Sequence, residues 1–137
     1  MKQETNYIDL GLIKYDKAWD LQLKYHTNSV NKKSSVKGEN YLIFCEHPNV
    51  YTLGKSGKDN NLLVNKEFLH SINAEYYKTD RGGDITYHGP GQLVGYPIID
   101  LERMGIGVKE YIHRLEHCII DILAEWEIEG MRLNGAT

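Results

Sequence analysis

The sequence predicts an α+β fold, a mixed sheet with helices packed on it, on three observations. Strand-like runs outnumber helical ones. The helical stretches stand at the two ends and between groups of strands, and no repeat, low-complexity tract or linker divides the chain. Helices that segregate in this way from strands cover a sheet rather than alternate through it.

In chain order, Tyr7–Leu10 opens as a β-like run. Tyr15–Val30 follows as a helix, because Tyr15, Ala18, Trp19, Gln22 and Tyr25 or His26 recur at helical spacing. Residues 31–40, with Lys32, Lys33, Ser34, Ser35, Lys37 and Gly38, read as an exposed loop. Tyr41–Cys45 is a short apolar run closed by Pro48, as expected of a buried strand, and Val50–Leu53 is a second strand stopped by Gly54. After the polar Lys55–Asn61 segment comes a short helix over Lys66–Ile72 and a strand over Glu75–Lys78. Asp84–Tyr87 and Gln92–Ile98 read as strands. In the last helix Tyr111, Ile112, Leu115, Cys118, Ile119, Ile122, Leu123 and Trp126 form an apolar stripe at i, i+3, i+4 spacing.

With 137 residues, 41% hydrophobic and 26% charged, the composition is that of one globular domain able to bury a core. The polar start Met1–Asn6 and the lack of any long apolar run argue for a cytoplasmic protein without a membrane segment. A net charge of −3 argues against a general nucleic-acid binder. Cys45 and Cys118 have no Cys-x-x-Cys spacing, so reduced thiols are expected, and neither a disulfide framework nor a cysteine metal site.

The chemistry concentrates in Arg81–Pro97, which reads Arg-Gly-Gly-Asp-Ile-Thr-Tyr-His-Gly-Pro-Gly-Gln-Leu-Val-Gly-Tyr-Pro. Gly82-Gly83 and Gly89-Pro90-Gly91 bracket a β-branched and aromatic run presenting Thr86, Tyr87 and His88. Glycine lets a ligand approach the backbone, and turns on both sides fix a pocket wall. At its edges stand Arg81, a permanent cation, and His88, able to move a proton near neutral pH. A surface ion pair or a satisfied half-buried histidine would not require the flanking glycines. Neither a Gly-x-x-x-x-Gly-Lys-Ser/Thr nor a Gly-x-Gly-x-x-Gly pattern is present, so no nucleotide cradle is indicated.

At Arg81, Gly82, Gly83, Thr86, Tyr87, His88, Pro90, Gly91, Gln92, Tyr96 and Pro97 the chain resembles the octanoyl-acyl carrier protein:protein octanoyltransferases of lipoate biosynthesis, also called lipoate-protein ligase B. Glu46-His47-Pro48, Val50–Gly54, Leu115-Glu116 and Ile119 extend the match. The resemblance implies a biotin/lipoate protein ligase-like fold whose Arg-Gly-Gly segment lines an acyl tunnel, with Arg81, Gly82, Gly83, Asp84, Ile85, Thr86, Tyr87 and His88 as substrate-binding residues. It makes residues 1–137 the N-terminal portion of an octanoyltransferase-like catalytic domain. It implies transfer of an octanoyl group from octanoyl-acyl carrier protein to a lysine of lipoyl domains, those of 2-oxoacid dehydrogenases and of the glycine cleavage H protein, with no cofactor and no metal. The family's reactive Lys and Cys follow the segment matching Met131–Thr137, so neither role is carried over, no catalytic residue is assignable, and the chain alone is expected to be inactive.

Other residues favour structural roles. Cys45 lies in an apolar strand and Cys118 on an apolar helix stripe, where buried inert thiols are expected. His113-Arg114-Leu115-Glu116-His117 fits the His-x-x-Glu-His zinc pattern but offers no third ligand, so a solvated helix face is the better reading. His47 stands evenly between a turn residue and a site residue. Lys55 and Lys58 are candidates for steering an acidic carrier protein. Two further classes stay open: an ATP-dependent lipoate or biotin ligase-like enzyme, and a non-catalytic module binding acyl groups or carrier protein.

Overall fold

The computed structural model describes residues 4–31, 39–133 and 135. The expected loop over residues 31–40 lies largely outside these, as do three of the residues in Met131–Thr137. The chain divides into two compact units, Met1–Ile99 and Asp100–Thr137.

The first unit is mixed α+β, as the sequence predicts. It holds two three-stranded sheets. In the first, β1 (Thr5–Leu12) runs parallel to β2 (Asn40–Glu46), and β6 (Val94–Ile98) pairs antiparallel on the far side of β2. Parallel neighbours need a crossover, and α1 (Tyr15–Asn31) provides it. In the second sheet β3 (Val50–Leu53) lies between β4 (Glu75–Lys78), parallel, and β5 (Ile85–His88), antiparallel. The β3-to-β4 crossover carries a short 3-10 turn at Asp59–Asn61 and α2 (Lys66–Ser71), which starts where the Asn65 side chain accepts from the Phe68 amide.

The central strands are the buried ones. Ile43, Cys45 and Val50 are at most 1% exposed, and Ala18 of α1 is equally covered. β2 and β6 meet closely because Gly95 stands opposite Phe44, whose ring lies where a Cβ at position 95 would sit. β1 is two residues longer at each end than Tyr7–Leu10 suggests. A register irregularity between Asp9 and Leu12, with Gly11 at φ +56°, carries it on to the Ile13 corner.

The second unit holds α3 (Leu101–Met104), capped by the Asp100 side chain and ended by Gly105 at φ +64°, and α4 (Val108–Glu125). α4 is the long helix the apolar stripe predicts, but none of its residues is buried. Ile119 is 57% exposed and Trp126 75%. Cys118 is therefore exposed, not buried as its place on the stripe suggested: spacing sets which face is apolar, and only a packed neighbour buries it. His117 stands 3.9 Å from Asp121, one turn on. Among the described residues no three His, Cys, Asp or Glu side chains are placed to hold a metal ion, and no helix is long and apolar enough to cross a membrane.

Candidate functional site

All the predicted site residues fall in the first unit, on β5 and the loop before it. β5 pairs with β3 in the register Val50↔His88, Tyr51↔Tyr87, Thr52↔Thr86 and Leu53↔Ile85. Side chains alternate along a strand, so Thr86 and His88 share one face and Ile85 and Tyr87 the other. Tyr87 is held on its face, with its ring 5.1 Å from that of Tyr51 and its hydroxyl donating to Asn49 Oδ1 at 2.7 Å.

The Arg-Gly-Gly-Asp loop is held by its own backbone. Gly54, Lys55 and Ser56 donate their amides to the carbonyls of Asp84, Arg81 and Gly83 at 3.1, 2.9 and 3.2 Å. A Cβ at Gly54 would lie 2.4 Å from the Gly83 oxygen and 2.8 Å from that of Gly82, so the two glycine-bearing segments meet backbone to backbone. Arg81 completes the closure. Its Nε donates to Thr52 Oγ1 at 3.1 Å, one terminal nitrogen to the Thr52 and Asp84 carbonyls at 2.7 Å each, and the other to the Gly82 carbonyl at 2.8 Å. The guanidinium is thus a cation held by oxygens of the loop and of Thr52, and no carboxylate is bonded to it among the described residues. Asp84 accepts from Asn61 Nδ2 at 2.5 Å and belongs to the same staple.

His88 sits at the other end of β5, its Nδ1 2.7 Å from Gln92 Oε1. The Gly89-Pro90-Gly91 turn between them is closed by the Gln92 amide on the Gly89 carbonyl at 3.1 Å, and tied to β2 by the Gly91 amide on Glu46 Oε2 at 2.7 Å. Beside His88 lies His47, fully buried, with ring centroids 5.8 Å apart. Around His47 gather Tyr15 from the start of α1, Tyr96 from β6 and Cys45 from β2. Burial, with some help from His88, holds the His47 pKa below its ordinary 6.5, against the bond to Ile13, and burial raises the phenols of Tyr15 and Tyr96. Burial pushes the Cys45 thiol up to about 11, which is the environment of an inert thiol.

Arg81, His88 and the glycines that the sequence singles out stand together on the β3–β5 layer and the loops at its ends. The sequence missed Thr52 as the anchor of Arg81, and the pairing of Tyr15 and Tyr96 with His47. Thr52 lies within the Val50–Gly54 match, but nothing in the sequence pairs it with Arg81. Tyr15 showed only helical spacing.

The fold is that of a known class: the chain superposes with TM-score 0.62 on a T. acidophilum protein described as a candidate lipoate protein ligase, at 13% identity, covering 98% of this chain and 54% of that one. The family model described as the lipoyl protein ligase A/B catalytic domain matches residues 14–137, and the chain belongs to that family. It is 52% identical to the octanoyltransferase of Bacteroides fragilis over 135 residues, 98% of this chain and 61% of that protein. It is 50% identical to the octanoyltransferase of Bacteroides thetaiotaomicron, with 60% of that protein covered. With that of Cytophaga hutchinsonii the identity is 47%, over 94% of this chain and 57% of that protein. The chain thus spans about three fifths of the length of these curated relatives.

Proposed function

We propose that this chain carries the acyl-binding part of an octanoyltransferase acting in protein lipoylation in the cytoplasm, and that Arg81, Gly82, Gly83, Asp84, Ile85, Thr86, Tyr87 and His88 line the place where the octanoyl thioester is held. The observation that supports this reading best is the closure of the Arg81–Asp84 loop on Gly54–Ser56, which makes a wall from backbone whose carbonyls are already paired. Paired carbonyls can face an apolar chain without leaving those acceptors stranded. Transfer of an acyl group from a thioester to an amine also needs a reacting nucleophile or base, and Cys45, buried with its thiol pushed up to about 11, does not supply it.

The partners on this reading are octanoyl-acyl carrier protein as donor and the lipoyl domains of 2-oxoacid dehydrogenases and the glycine cleavage H protein as acceptors. Lys55 and Lys58 are exposed in the segment that follows Gly54, on the same loop that closes over Arg81–Asp84. They offer an acidic carrier protein a basic contact beside the acyl wall, and such steering weakens with salt. Titration calorimetry tests the reading: octanoyl-acyl carrier protein binds, more weakly as salt is added, and ATP does not. Binding of ATP in place of the octanoyl carrier would favour a ligase, and binding of neither would overturn the assignment.

A further inference from the structure

His88 ends β5, and the chain turns at once through Gly89-Pro90-Gly91 to bring Gln92 back beside it. Three contacts hold that return. The Gln92 amide donates to the Gly89 carbonyl at 3.1 Å, so the turn is closed by its own backbone. Gly91 stands at φ +82°, a conformation that glycine adopts freely, and its amide donates to Glu46 Oε2 at 2.7 Å. A Cβ at Gly89 would run into the Tyr87 ring, whose hydroxyl donates to Asn49, so the turn begins against a ring that is itself bonded in place.

The turn sets the Gln92 side chain on the His88 ring, with Oε1 2.7 Å from Nδ1. An amide oxygen only accepts, so Nδ1 carries the hydrogen and Nε2 keeps its lone pair. The His47 ring lies beside His88, with centroids 5.8 Å apart, and shares no hydrogen bond with it, since the His47 nitrogens are engaged by Ile13 and Tyr96. Among the described residues Gln92 alone hydrogen-bonds the His88 ring, and it alone distinguishes the two nitrogens. Which nitrogen of a neutral imidazole is protonated follows from the bond the ring makes.

We propose that Gln92 is a positioning residue for His88: its side-chain oxygen, delivered by the Gly89-Pro90-Gly91 turn, holds the ring in the Nδ1–H form, so that any proton the ring takes up goes to Nε2. That His88 handles a proton in acyl transfer rests on the octanoyltransferase reading. The tautomer and its dependence on Gln92 do not.

The test is the two-bond 1H–15N spectrum of the histidine-labelled chain at about pH 8, above the ordinary histidine range, with the His88 signals assigned by their loss in His88→Gln. Expected is an Nδ1–H ring with bare Nε2 at His88 in the wild-type chain. A ring mainly in the Nε2–H form overturns the proposal without any variant. Gln92→Leu keeps the bulk and removes the acceptor, and should turn most of His88 over to the Nε2–H form that an unbonded imidazole favours; where that chain fails to fold, Gln92→Ser, too short to reach the ring, reads the same loss. Gln92→Glu keeps an acceptor on Nδ1 and should retain the wild-type tautomer. His88 signals that stay in the Nδ1–H form in Gln92→Leu or Gln92→Ser would show that Gln92 only packs there, and that overturns the proposal. Calorimetry with octanoyl-acyl carrier protein, run separately, bears on the transfer reading and not on these spectra.

Discussion

Arg81 and Thr52 are joined three times: the guanidinium reaches Thr52 Oγ1 from Nε and from a terminal nitrogen, at 3.1 and 2.9 Å, and the Thr52 carbonyl at 2.7 Å. Thr52 is completely buried at the centre of β3, so the bonds tie the Arg-Gly-Gly loop to the most sheltered part of the second sheet. The arginine acts here as the pin of the loop.

Replacing Arg81 by Lys removes the planar fork that reaches two residues at once. Hydrogen bonds to charged donors contribute about 1.5–3 kcal/mol, so Arg81→Lys should lower unfolding stability by about 2 kcal/mol in urea titrations. Thr52→Val, which keeps shape and removes the acceptor oxygen, should cost about 1 kcal/mol. An unchanged urea midpoint for Arg81→Lys would show that the loop is held by its backbone bonds alone.

The glycines of this loop should separate sharply. Gly54→Ala forces a Cβ to 2.4 Å from a backbone oxygen, and should cost about 3 kcal/mol, the upper range for overpacking. Gly82→Ala meets nothing within 4 Å and should cost under about 1 kcal/mol. Gly83 stands at φ +82°, so Gly83→Ala falls between, at about 1–2 kcal/mol of backbone strain. Thermal melts of the three variants in this order support the backbone-to-backbone contact; equal melts contradict it.

His47 titrates below its ordinary 6.5 because burial disfavours the charged ring. A lowered value for a base means that the unfolded chain takes up the proton first, so its contribution to stability is complete above pH 6.5 and is lost as the pH falls through the folded value. Urea midpoints should drop from about pH 7 to about pH 5, and His47→Gln should flatten that fall. A slope equally steep in the variant assigns acid sensitivity to other groups.

The two thiols should behave oppositely. Cys118 is exposed and should react with iodoacetamide in the folded chain, whereas Cys45, 1% exposed with its thiol pushed up to about 11, should react only on unfolding. A raised thiol value stabilises the fold below the ordinary 9.0 and loses that contribution as the pH climbs toward 11; the phenol of Tyr77, pushed up to about 12, adds in the same direction. Peptide mapping after alkylation at neutral pH reads the difference directly, and modified Cys45 in the native chain would contradict its burial.

Much of this arrangement is legible in the residues. Tyr41–Cys45 and Val50–Leu53 are short apolar runs, and both lie in central strands; a strand covered on both faces loses its polar alternation. The glycine clusters around Thr86–His88 announced turns, and both clusters close tightly. What the sequence could not give were relations between distant segments. Nothing local to Thr52 says that Arg81 will bond it, and nothing in Glu46-His47-Pro48 says that Ile13 and Tyr96 will clasp the imidazole from two sides. α3 was too short for any periodicity to show. Cys118 failed for a related reason, since an apolar stripe reports which side of a helix is apolar and not what lies against it.

The central claim is that the β3–β5 layer and its Arg81–Asp84 loop hold a medium-length acyl chain. Hydrogen exchange read by mass spectrometry, with and without octanoyl-pantetheine at saturation, tests it most directly. The prediction is slowed exchange in peptides spanning Gly54–Ser56 and Arg81–His88, absent from the second unit and abolished when Gly82 and Gly83 are both replaced by Val. Unchanged exchange in those peptides, or protection that survives the double replacement, would contradict the account.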